Sequence, residues 1–412
     1  MRKLYSLLLI CFWILLFSVQ NNSASACSVI TTVNNDSVWF GYNEDRMLSQ
    51  FNQITYVRFH NRTSTSYAFM EVTAESTDVF SVRVGINEKG VAISGNAVPM
   101  QQIDSQPEKS YTWKTHSLYR LILQKSTNIS DVIKIVSNFE FTPNMNYQIH
   151  VADSNGDAIV VSPGSNGKIV ITQKNDNYFI STNVNRADIE NGVDDIRNSE
   201  AISLLNKAEN LGKETLKSTL KGVHQESYEG CTYYSTIFDL KNGITYFYLM
   251  HDYNQEISLN MTHELLQGDH YYLLADLFPN GQQILDQAKS DMQFQESMIN
   301  LFRVLGLILI LTILGHFIFS LYKKIKLKEP IKKRIRQMAV SLGIHGYLII
   351  FLIFSLALIP LILFTNVLTS YLSNSFQNIF LIYIIICLIG LLLLFSWIYY
   401  KREIFAQYFN RG

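Results

Sequence analysis

Three apolar runs near the end of the chain, at about 298–322, 339–364 and 376–400, limit what it can fold into more than any other feature. Each reaches the roughly 20 residues that a helix needs to cross a bilayer. Segments this long and this free of charge have no polar face to show to water. The sequence therefore predicts a membrane domain over 298–412 with three transmembrane helices. Loop charge orients them. Eight Lys and Arg lie between Lys323 and Arg336 against the single Glu329, and the loop between the second and third runs is uncharged. The positive-inside rule puts the basic loop and the C-terminus in the cytoplasm and everything before the first run outside.

The N-terminus supports that orientation. Arg2 and Lys3 precede an apolar run from Leu4 to Val19, then a polar stretch and the small-residue site Ala24-Ser25-Ala26. This is the pattern of a secretory signal peptide over 1–26, a substrate for signal peptidase. An uncleaved anchor is the alternative, but the run is short for a span. The expected protein is a multi-pass cell-membrane protein with an extracytoplasmic domain over 27–295. Charge divides the same way. The 412 residues carry 34 basic and 34 acidic side chains, yet Cys27 to Ile299 holds 20 basic against 32 acidic. So acidic a domain is a poor nucleic-acid binder. The bilayer is its expected partner, and no feature specifies an oligomer.

Within 27–295 the pattern alternates between strand and helix blocks. "SVITTV", the turn "NND" and "SVWFGY" read as a hairpin, and "TYYSTIFDLKNGITYFYLMHD" as another, turning at "KNG". "VFSVRVGIN" and "GVAISGNAV" read as strands joined by "NEKG". "THSLYRLILQKS", "NISDVIKIVSNF" and "DIRNSEAISLLNKAENL" have helical spacing, the second with Asn128 or Ser130 as N-cap. Such blocks predict an α+β fold of layered sheets and helices.

Cys27 follows the expected cleavage site directly. Cutting there would leave a thiol and a free α-amine in one residue. That amine titrates near 7.7–8.0, roughly neutral pH, so it can take the thiol proton. The thiolate is the working nucleophile. Acyl transfer also needs donors for an oxyanion and an anion to hold the ammonium. Asp45 lies at the far end of the hairpin that starts at Cys27. Asn96 and Asn183 each close an expected strand and could donate an amide N–H. Taken singly, such residues are more often turn formers.

Together the motifs are more specific. Cys27 at the mature start, "GYNED" (Gly41–Asp45), "INEKGVAISGNA" (Ile86–Ala97) and "STN" (Ser181–Asn183) resemble the choloylglycine hydrolase and penicillin V acylase family of N-terminal nucleophile (Ntn) hydrolases. The resemblance covers about 27–285. It implies an αββα sandwich, Cys27 as nucleophile, Asp45 as partner of its amine, and Asn96 and Asn183 at the oxyanion and tetrahedral site. It also implies an arginine after the Asn183 motif, here Arg197. The family usually carries arginine after the glycine of Gly-x-Asn-x-Asp, and this chain has Tyr42.

These features predict a membrane-anchored extracytoplasmic hydrolase of linear carboxamides acting on a small-molecule amide. Charged metal-ligand clusters are missing from the sequence pattern, so no metal or cofactor is expected. Three other readings compete. A Cys27–Cys231 disulfide is open to the only two cysteines of the outer domain. A lipid-modified Cys27 would want leucine where Ala24 stands. An inactive domain of the same fold, serving as a sensor or ligand-binding module coupled to the membrane region, would keep the motifs without turnover.

Overall fold

The structure is a computed structural model, and it describes residues 27–301 apart from 77–78, 107–108, 192–195 and 228–229. The signal peptide expected over 1–26 and the apolar runs beyond residue 301 lie outside the described residues. Among those described, no helix is long and apolar enough to cross a membrane. The chain divides into two units, Met1–Ser297 and Met298–Gly412, and the first holds the layered sheets and helices.

Its strands run β1 Ser28–Val33, β2 Val38–Arg46, β3 Thr55–His60, β4 Phe69–Ser76, β5 Val79–Asn87, β6 Ala92–Gln102, β7 Tyr111–Thr112, β8 Phe139–Glu140, β9 Asn144–Ala152, β10 Ala158–Pro163, β11 Ile169–Gln173, β12 Tyr178–Ser181, β13 Glu226–Ser227, β14 Gly230–Asp239, β15 Ile244–Leu249, β16 Ile257–Asn260 and β17 His270–Leu273. Two large antiparallel sheets result. One is ordered β12-β1-β2-β14-β15-β16, with β13 on β14, and the other β11-β10-β9-β6-β5-β4-β3-β17.

Both sheets are apolar on both faces, which explains the continuous hydrophobic runs of the sequence. In β2, Val38, Phe40 and Tyr42 point into the layer between the sheets, where Val72, Val84, Ile86 and Val160 meet them from the other sheet. In β10, Val160 points inward, while Ile159 and Val161 point outward against the helices Leu118–Lys125 and Ile129–Ser137. On the opposite outer face Ile30 and Ile237 pack with Leu205, Leu216 and Leu220 of the helices Ile196–Lys207 and Lys213–Gly222. The layers are thus helix, sheet, sheet, helix. Each large side chain buried in them contributes about 1.5–3 kcal/mol.

Local chemistry fixes the connections. In the first hairpin the Asn34 side chain accepts from Ser37 N at 2.8 Å and Asp36 N at 3.1 Å, closing the turn between β1 and β2. Asn128 caps its helix by accepting from Asp131 N at 3.0 Å. The β5–β6 turn needs Gly90, at φ +74°, where an added Cβ would lie 2.2 Å from the carbonyl of Leu240, in the turn after β14. Gly90→Ala is therefore expected to destabilise the domain by roughly 2–4 kcal/mol, from left-handed strain and this clash together. A melting-temperature comparison of the full-length proteins checks it.

Candidate functional site

The site lies where β1 begins. Ser28 pairs with Asn43, which sets Cys27 across from Glu44 at the end of the ladder. Cys27 and Cys231 are both free thiols. Residues 27, 29 and 31 share the inward parity of β1, so Cys27 packs at the margin of the inter-sheet core.

The five residues singled out in the sequence come together, and their contacts form a ring. Asn96 Nδ2 donates to the Cys27 carbonyl at 2.8 Å. The Asp45 backbone N–H bonds the Cys27 thiol. Arg197 Nη1 lies 3.7 Å from Asp45 Oδ2, and Arg197 Nη2 donates to Asn183 Oδ1 at 2.9 Å. Asn183 Nδ2 donates to the carbonyl of Ala97 at 2.7 Å, one residue past Asn96. Two strands, the residue leading into β1, the segment following β12 and one helix supply this ring, which is why no single local motif identifies it.

Asp45 owes its place to an irregularity. The β2–β14 register shifts between Thr232 and Tyr234, a bulge that turns Thr232 toward Asp45. Thr232 Oγ1 donates to Asp45 Oδ1 at 2.5 Å. Burial pushes the Asp45 carboxyl up to about 7, against the pull of Thr232 and Arg197.

A second group beside Cys27 was not expected. The Tyr42 hydroxyl has one proton to share between Glu44, to which it makes a very short bond, and Cys27 Sγ at 3.5 Å. Cys27 Sγ lies 3.9 Å from Glu44 Oε2. Glu44 is buried and bridges two arginines, with Arg46 Nε at 3.3 Å and Arg83 Nε at 3.4 Å. Arg46 also stacks 3.9 Å over the Tyr233 ring. Tyr42 stands where the family that the sequence resembles usually carries arginine, and the two arginines of this group, Arg46 and Arg83, are paired with Glu44 rather than with the thiol. Burial, with Glu44 and Asp45 adding to it, pushes the Cys27 thiol up to about 12. The period-2 face shared by Tyr42, Glu44 and Arg46 was visible in the sequence. Arg83, from the other sheet, was not.

A third group crosses the inter-sheet layer. Ser181 Oγ donates to Asn96 Oδ1 at 2.8 Å, His150 Nδ1 lies 3.0 Å from Ser181 Oγ, and Thr31 Oγ1 lies 2.9 Å from His150 Nε2. All four side chains are buried.

On a metal, the structure adds a cluster that the sequence pattern did not reveal. His224, Glu226 and His251 bring ligand-type atoms within 4.8 Å of one another. His224 Nε2 lies 2.5 Å from Glu226 Oε1, and its Nδ1 bonds the Lys221 carbonyl. Protonated His224 satisfies both contacts, and these partners raise its pKa, so an ion pair accounts for this arrangement.

Comparison with known proteins follows the same lines. Among solved structures, a mutant conjugated bile acid hydrolase from Clostridium perfringens is similar at 16% identity and TM-score 0.46, over 60% of this chain and 95% of that one. Penicillin V acylase from Agrobacterium tumefaciens is similar at 16% identity and TM-score 0.43, over 57% of this chain and 86% of that one. The Caenorhabditis elegans ortholog of N-acylethanolamine-hydrolyzing acid amidase is similar at 18% identity and TM-score 0.39, over 52% and 93%. No curated protein matches the sequence. The model of the acyl-coenzyme A:6-aminopenicillanic acid acyl-transferase family matches residues 31–260. That span is more than half of the chain, begins just after Cys27, and holds Asp45, Asn96, Asn183 and Arg197, so the chain belongs to this family.

Proposed function

We propose that this protein is a membrane-anchored extracytoplasmic amidohydrolase of the Ntn type, in which removal of residues 1–26 makes Cys27 the N-terminal nucleophile. One observation carries the reading. With Cys27 inside an uncut chain, its thiol and the Asp45 carboxyl are both pushed up, to about 12 and about 7. A cation at this spot would relieve both groups. Cleavage of the Ala26–Cys27 bond creates one there, the α-ammonium of Cys27.

In this mechanism the neutral α-amine takes the thiol proton, directly or through water. The sulfur attacks the carbonyl carbon of a linear amide. The second N–H of the Asn96 amide is the donor assigned to the oxyanion. As the C–N bond breaks, the ammonium returns its proton to the leaving amine, leaving a thioester on Cys27. Water, activated by the same amine, releases the acid. Asp45 and Arg197 hold the charge balance around the amine and position Asn183.

A second reading follows from the family: the thioester is passed to an amine rather than to water. The chemistry up to the thioester is common to both.

The test is intact-mass analysis of the purified full-length protein before and after iodoacetamide, followed by turnover of an N-acyl amide panel with and without an added amine acceptor. The expected result is a mature N-terminus at Cys27, one labelled thiol at that residue, and acid release. A retained 1–26 segment or a Cys27–Cys231 bridge would sink the mechanism. Acyl transfer only in the presence of the amine would replace hydrolysis by the second reading. A mature Cys27 with no turnover of any member would favour the inactive, ligand-binding module.

A further inference from the structure

The first β1 residue held by the ladder is Ser28, so Cys27 lies beyond it. A residue at a strand end frays unless something ties it down. Here the Cys27 carbonyl accepts from the Asn96 side chain. That bond fixes the direction of a chain of hydrogen bonds.

A carbonyl can only accept, so the group facing it is the Asn96 NH₂ and the other end of the amide is its oxygen. Asn96 Oδ1 can then only accept, and Ser181 Oγ gives it its proton at 2.8 Å. Having spent that proton, Ser181 can bond His150 Nδ1 only as acceptor, so Nδ1 carries a hydrogen. Thr31 Oγ1 closes the chain at Nε2, where a neutral imidazole accepts. The relay uses β1 and β12 of one sheet and β6 and β9 of the other. Phe40 and Phe179 pack edge-on against the His150 ring and hold its plane.

We infer that His150 is a positioning residue for Cys27: held as the Nδ1–H tautomer between Thr31 and Ser181, it orients Ser181, which orients the Asn96 amide, which fixes the Cys27 backbone and the direction of its thiol. The inference rests on Cys27 being the nucleophile. Burial holds the imidazole neutral, lowered to about 3, so the polarity of the chain persists at ordinary pH. The same chain sets which Asn96 N–H is spent on Cys27 and which is left for substrate. Neither Ser181 nor His150 touches the reacting atoms, and their effect passes through Asn96.

Three His150 variants separate positioning from mere support. Asn places an amide N–H near the Nδ1 position and keeps donation to Ser181. Gln places its amide near Nε2 and keeps the Thr31 end instead, and Phe keeps neither. The measurements are kcat and KM on a turned-over N-acyl amide, and the rate of Cys27 alkylation by iodoacetamide, in the full-length mature protein. A 1 Å misplacement can cost about 100-fold, so His150→Phe is expected to lower kcat about 30- to 100-fold with KM within about twofold. Alkylation should slow in parallel. His150→Asn should recover most of the loss and His150→Gln little. Ser181→Ala, a small change for use if His150→Phe fails to fold, should match His150→Phe, and combining the two should add little further loss. Wild-type kcat in Ser181→Ala, equal recovery by Asn and Gln, or additive losses in the double variant would overturn the inference. If the wild-type protein turns over nothing, the functional reading fails separately, and the alkylation series still decides whether His150 directs the thiol.

Discussion

Cys27→Ala is expected to abolish acyl release, lowering kcat by at least about 10⁴-fold, because the thioester forms on its sulfur and the other described thiol, Cys231, is buried. Asp45 and Glu44 lie beside the thiol, but the first is held by Thr232 and Arg197 and the second by Tyr42, Arg46 and Arg83. Cys27→Ser should keep a residual rate, about 10²- to 10³-fold below wild type, since an alkoxide is harder to generate with the same amine. A third protein separates the thiol from the amine. One extra residue left in front of Cys27 keeps the thiol and converts the amine to an amide. Its rate is expected to fall about 10²- to 10⁴-fold, the usual size of a general-base contribution. Steady-state rates with an N-acyl amide, alongside melting curves to establish folding, check all three. Activity surviving in Cys27→Ala would remove the nucleophile from the account. Full activity with the extra residue would remove the amine and hand the base role to Glu44, whose Oε2 lies 3.9 Å from the sulfur.

Part of this site was legible in the sequence, because the first hairpin is local and the remaining motifs together resemble those of a known family. The first hairpin announces itself by alternation and by Asn34, and a hairpin necessarily returns Asp45 to the neighbourhood of Cys27. Asn183 follows a strand end as expected, whereas Asn96 lies inside β6, which runs on to Gln102. The strand and helix blocks gave an α+β fold of layered sheets and helices, and the αββα order came only from the family resemblance. What the sequence hides has definite causes. The helix Lys213–Gly222 buries Leu216, Thr219 and Leu220, two leucines and a threonine in ten mostly polar residues, too thin a stripe to stand out. The bulge at Thr232/Tyr234 has no turn residue to mark it. The relay joins Thr31 to His150, which are 119 residues apart, and its members are ordinary strand residues one at a time. Only the parity that turns all of them inward, on strands from two sheets, makes them a unit.

The same two buried groups, Asp45 and His150, should shape the stability of the uncut domain in opposite directions, and single substitutions should expose what the wild type conceals. Burial raises Asp45 from 3.8 to about 7, so between those values the folded state holds a proton that the unfolded state has lost. Stability from this group therefore falls as pH rises from about 4 to about 7. His150 is the reverse. Burial, with Arg186 facing it, lowers it from 6.5 to about 3, so in that range the unfolded state holds the extra proton. Stability from this group rises from about pH 3 to about 6.5 and is fully present above it. Each effect is on the order of 4 kcal/mol at its limit. Between about pH 4 and 6.5 the two cancel, because the folded state has a protonated acid and a neutral imidazole where the unfolded state has the opposite pair. Melting curves of the uncut full-length protein across pH 3.5–8 are expected to show these two contributions offsetting each other in that window. In Asp45→Asn the rising limb should appear, and in His150→Asn the falling one. Cleavage at Ala26–Cys27 should then shrink the falling limb, because the new ammonium stabilises the Asp45 carboxylate and draws its pKa down. An acid limb that stays the same in His150→Asn would sink the assignment of a neutral buried imidazole. A falling limb that survives cleavage unchanged would separate Asp45 from the amine and so remove the electrostatic argument for Cys27 as the mature N-terminus.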